Sequence, residues 1–106
     1  MNSLDKAMEL KRRTKSFAIR IVNLFRSLPH SPAAQTLGKQ LLRSGTSVAA
    51  NYRAVCRARS QAEFIARMGI VVEEADESVL WLELLGETGV VRQERTQDLL
   101  NEANEQ

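Results

Sequence analysis

Apolar residues recur every three or four positions along most of this chain, the spacing of one buried face on a helix. Ala7, Leu10, Thr14, Phe17, Ile21, Leu24 and Leu28 form the first such stripe, in a helix expected to open at Ser3 or Asp5. Leu28-Pro29 should end it, because a proline ring disfavours helical geometry at the residue before it. Ser31-Pro32 then reads as an N-cap with proline at the first helical position. A second helix follows from about Pro32 to Ala58, with Leu37, Leu41, Ser44, Val48, Asn51 and Val55 inward. Ser44-Gly45-Thr46-Ser47 are four indifferent helix formers, so a bend is expected there.

Ser60-Gln61-Ala62-Glu63 has the form of a capping box, in which serine and glutamate each satisfy a free backbone N–H. Behind it, Phe64, Met68, Val71, Ala75, Ser78, Leu82 and Leu85 alternate by fours and threes, the rhythm of packed bundle helices. Gly86 or Gly89 should end this third helix. A shorter fourth spans about Arg92–Asn104 and is anchored by Leu99, Leu100 and Ala103. Short connections and the absence of a repeat, linker or low-complexity tract predict one all-α domain over residues 1–106. Its expected form is an antiparallel up-down-up-down four-helix bundle. The low aromatic content, 5%, and only two prolines argue against a sheet-rich alternative.

The third helix is apolar on more than its heptad face. Ile70, Leu80, Trp81 and Leu84 fall on its sides and back, and the outer face of a lone bundle would leave Leu80 and Trp81 wet. These four are the candidate interface of a homo-oligomer; scattered exposed apolar residues in a monomer are the plainer alternative.

Charge is sorted along the chain. Residues 1–60 hold twelve of the fifteen Lys and Arg against Asp5 and Glu9, a net +10, whereas residues 61–106 total −8. Such asymmetry points to an anionic partner or to self-association. On the second helix Lys39, Arg43, Arg53 and Arg57 share one stripe through Thr46 and Ala50, extended by Arg59. Lys11, Arg12, Arg13 and Lys15, with Arg20, make a second cluster on the first helix. Cations arrayed along helix faces suit a phosphate backbone, RNA or DNA. The rival is a face paired with Glu73, Glu74, Asp76 and Glu77 of the third helix. Aromatic interleaving for base stacking is missing apart from Tyr52, expected to be partly buried, so sequence discrimination should be weak.

Other chemistries find little support. A single histidine, His30, rules out the Glu-x-x-His pairs of a di-iron bundle, and no Cys/His cluster suits zinc. Cys56 has no histidine near it in sequence, and Gly38 and Gly45 lie within a helix, not in a phosphate-cradling loop. Catalytic residues, metal and cofactor are therefore expected to be none, and the protein is not expected to be an enzyme. No stretch approaches the ~18–20 apolar residues of a membrane span. The polar stretch from Met1 to Lys15 and the lone cysteine make the cytoplasm the expected location.

The segment Arg43-Ser-Gly-Thr-Ser-Val-Ala-Ala-Asn-Tyr-Arg53 continues through Cys56-Arg57-Ala58-Arg59-Ser60 to Ala62-Glu63-Phe64-Ile65. With Gly69-Ile70-Val71, Glu73-Glu74-Ala75-Asp76-Glu77 and Trp81-Leu82-Glu83-Leu84-Leu85, it resembles the bacterial four-helix bundle protein family. That family is also called the S23 or 23S rRNA intervening-sequence protein family. The resemblance runs over about residues 8–104 and includes Leu28-Pro29. It implies a homopentamer of four-helix protomers and favours nucleic-acid binding. It also implies, through accessory proteins of diversity-generating retroelements, a reverse transcriptase as a further partner. It supplies no catalytic residues. The chain departs from the family at Ala49, where glycine is common, and at Ala54, where an acid is common.

Overall fold

The computed structural model describes residues 2–105, of which Glu105 is described in its backbone alone. Four helices make up the described chain: α1 (Ser3–Arg26), α2 (Pro32–Cys56), α3 (Gln61–Glu87) and α4 (Gln93–Glu105). The cap of α1 is Asn2, upstream of the expected Ser3 or Asp5, and its side-chain oxygen accepts from the Asp5 N–H at 2.8 Å. The Ser31 hydroxyl accepts from Ala34 N–H at 3.2 Å, with Pro32 in the first turn as the sequence predicts. The Ser60 hydroxyl accepts from Glu63 N–H at 3.0 Å. The Glu63 carboxylate does not close the reciprocal half of the box; it reaches one residue further back, to Arg59 N–H at 3.3 Å. Gly89, at φ +77°, supplies the left-handed residue just beyond α3.

Contacts between α1 and α2 run in opposite order along the two helices. The Tyr52 hydroxyl meets the Ala7 carbonyl at 3.4 Å, Gly45 faces Ile21, and Gly38 faces Phe25 and Leu28. The two glycines set how closely α1 and α2 approach. A Cβ at Gly45 would lie 2.9 Å from Ile21 Cγ1, and one at Gly38 would run into Leu28 Cδ1. The Ser44–Ser47 stretch is helical throughout, as part of α2. Gly45→Leu should therefore destabilise the protein by about 1–3 kcal/mol in urea unfolding, because overpacking the seam outweighs leucine's better helix propensity. Unchanged stability would mean the two helices do not rely on that contact.

Two apolar clusters fill the interior. One draws on all four helices and includes Phe17, Ile21, Leu41, Leu82, Leu85 and Leu99. The other joins α2 and α3 through Val48, Tyr52, Val55, Val71 and Ala75, with Leu10 of α1 packed against it. The difference follows from length. Thirteen residues make α4 about 20 Å long, roughly half of the 27-residue α3, and Asn104 has reached only the level of Val79. The first half of α3 has no fourth helix beside it. Phe64, expected to open the buried heptad, is accordingly 48% exposed, and Met68 is only half-buried.

The core also holds polar groups. Ser44 and Ser78, both fully buried, join hydroxyl to hydroxyl at 2.9 Å across α2 and α3, and whichever accepts that bond donates to a backbone carbonyl, Leu41 for Ser44 or Glu74 for Ser78. Neither hydroxyl is left without a partner, which is the condition for burying it at little cost. Asn51, expected inward, is half-buried and donates to the Ser47 carbonyl at 2.9 Å within its own helix.

Candidate nucleic-acid interface

The stripe periodicity that buries Leu41, Val48 and Val55 on α2 turns Lys39, Arg43, Arg53 and Arg57 to solvent. On α1 the same geometry exposes Lys11, Arg12 and Lys15, while Arg13 is half-buried. These eight cations divide into two groups by partner.

Three are held by carboxylates. Arg12 binds Glu9 one turn back on its own helix. Arg13 reaches across to Glu102 of α4, with Nη2 and Oε1 at 3.2 Å. Arg43 bridges α2 to α3, gripping Glu74 at 3.2 Å and Glu77 more closely still. The Arg43 hydrogen bond holds the Glu77 carboxyl below its ordinary pKa, with help from the Trp81 indole N–H at 3.3 Å. All of these pairs are partly solvated, so they contribute little to stability. Their main effect is to take Arg12, Arg13 and Arg43 away from any outside anion.

The other five, Lys11, Lys15, Lys39, Arg53 and Arg57, pair with no carboxylate among the described residues. Arg53 and Arg57 line an open cleft of about 500 Å³ at the α2–α3 corner, together with Arg59 and Arg67. In the sequence Arg59 reads only as a continuation of the α2 stripe, and Arg67 counts only among the few cations of the acidic half. Arg67 sits in the acidic half of the chain, and the short 57–60 turn folds it back beside α2. The Ser60 cap is the sequence signal for that turn, and α2 stops at Cys56, two residues before the expected helix end at Ala58.

The proposed interface residues of α3 also divide. Ile70 and Leu80 are 40% and 46% exposed, whereas Trp81 and Leu84 are half-buried. Trp81 packs on the four-helix cluster and satisfies its N–H within the chain, so it is not the wet side chain its wheel position suggests. Further apolar exposure occurs at Ile65 and Val72 of α3 and at Leu4, Met8 and Ile19 of α1.

Tyr52 is buried, and burial raises its phenol pKa above the ordinary value, with the neighbouring Cys56 thiol adding to the rise. No three His, Cys, Asp or Glu side chains come together as a metal-holding group among the described residues. No helix there is long and apolar enough to cross a membrane.

Fold and surface define an all-α, four-helix arrangement whose two basic helices carry cations that meet no carboxylate among the described residues. The family model described as 23S rRNA-intervening sequence protein matches residues 6–106, and the chain belongs to that family. It is also similar to a crystal structure of a protein of unknown function from the S23 ribosomal protein family of Bacteroides thetaiotaomicron. The two are 40% identical over 91% of this chain and 89% of the other, with a TM-score of 0.85. Among curated proteins, no match was found.

Proposed function

We propose that this chain is a non-enzymatic, antiparallel up-down-up-down bundle that self-associates and binds the phosphate backbone of RNA or DNA. The observation that carries the reading is the set of five outward cations on α1 and α2 with no carboxylate partner among the described residues. A row of uncompensated positive charge is a cost in self-repulsion that a polyanion relieves. The family's description by an rRNA intervening sequence supports RNA as the first polyanion to test. Self-association is supported by Ile70 and Leu80, apolar and open to solvent on the flanks of α3. A ring of five is what the family resemblance favours.

Fluorescence anisotropy with a labelled single-stranded RNA tests the binding. Affinity should fall with log salt at a slope of about 0.7 for each phosphate contacted. Absence of binding at about 50 mM salt would reject the proposal. Base composition should matter little, because the cationic cleft has no aromatic side chain in its lining for bases to stack on.

A further inference from the structure

Positive charge on α1 and α2 is spread over a long ridge, yet one place gathers it. Four arginines, Arg53, Arg57, Arg59 and Arg67, line a single cleft of about 500 Å³ where α2 ends and α3 begins. That volume lies within the roughly 300–1,000 Å³ of clefts that hold small ligands. Ala50 and Ala54 are the small residues of the lining, so little side-chain bulk competes for the space.

Glu63 is the one acid of the lining, and it is already engaged on both oxygens. Oε1 accepts from Arg67 Nε at 3.2 Å, and Oε2 accepts from the Arg59 backbone N–H at 3.3 Å. The side chains of Arg53, Arg57 and Arg59 have no carboxylate partner among the described residues, and Arg67 commits one of its five donors to Glu63. The cleft thus keeps a formal excess of three positive charges. Guanidinium forks match phosphate oxygens two at a time, which lysine ammonium groups do not. The start of α3, capped by Ser60, adds the positive end of a 27-residue helix at the same corner.

We infer that this cleft is the anchor for the polyanion, seating neighbouring phosphodiesters of an RNA backbone among Arg53, Arg57, Arg59 and Arg67. The lysines of the α1–α2 ridge contribute attraction at longer range. This rests on the nucleic-acid reading and narrows it, because Arg59 and Arg67 belong to the cleft and Arg67 has no part in the ridge.

The test compares two double variants by anisotropy with the same labelled 20-nucleotide RNA at low salt. Arg59→Gln with Arg67→Gln should weaken binding by roughly 60-fold at about 50 mM salt and flatten the salt slope by about 1.4, two phosphate contacts' worth. Lys15→Gln with Lys39→Gln removes the same charge from the ridge and should cost about threefold or less. A third variant, Ala54→Glu, sets a carboxylate in the lining while leaving every arginine in place, and should cost about tenfold. It keeps the question decidable if loss of the Arg67–Glu63 pair disturbs the start of α3. Cleft variants that bind within twofold of the unmodified protein would overturn the anchor and leave ridge binding standing. No RNA binding by the unmodified protein would overturn both.

Discussion

Phe17→Ala should destabilise the protein by about 3–5 kcal/mol, a large share of the roughly 5–15 kcal/mol available to a domain of this kind. Phe17 is 1% exposed and lies in the cluster shared by all four helices, so truncation leaves a cavity that surrounding residues fill poorly. Urea unfolding at fixed protein concentration measures it, as a lower midpoint with an unchanged slope. The control is Phe64→Ala. Phe64 belongs to an equally regular heptad but is 48% exposed, and its loss should cost less than about 1 kcal/mol. Equal costs at the two positions would contradict the packing described above.

The second large effect is expected in binding. Arg53→Glu with Arg57→Glu removes two cations from the cleft and puts two anions in their place. At about 50 mM salt each phosphate contact contributes roughly eightfold to affinity through released counterions, so losing two costs on the order of 60-fold before repulsion is counted. A loss of about a hundredfold in RNA affinity is the expected result. Both side chains are exposed and have no carboxylate partner among the described residues, so unfolding should be unaltered. A variant that binds RNA normally would remove these arginines from the interface. One whose mass drops in solution would reassign them to contacts between copies.

Most of the secondary structure could be read from punctuation and period. Pro29, Ser31-Pro32 and Ser60 set helix boundaries to within a residue or two, because caps and proline act through local backbone chemistry. The stripes of α1 and α2 named most of the buried residues for the same reason. What periodicity does not encode is whether a partner stands opposite. Phe64 continues the α3 heptad faithfully, but α4 is too short to reach it, and that length mismatch appears only in three dimensions. Thr96, 2% exposed, was missed because a polar residue in a thin helix gives no hydrophobic signal; its hydroxyl is satisfied by the Gln93 carbonyl at 3.0 Å.

The candidate site was half legible. Exposure of the cations follows from their position on each helix opposite the buried stripe. Their pairing does not, since Arg43 and Arg53 share a stripe yet only Arg43 meets acids of α3. Nor does sequence separation show that Arg67 lies beside Arg53 and Arg57. The short turn between α2 and α3 makes that neighbourhood.

The proposed function requires a division of surface, in which sister copies cover the flanks of α3 and leave the cations of α1 and α2 to a polyanion. Light scattering at micromolar concentration, with and without single-stranded RNA, tests it most directly. The protein alone should show a multiple of 11.9 kDa, and RNA should add its own mass without breaking the assembly. A mass near 12 kDa, or an oligomer that falls apart as RNA binds, would contradict the account.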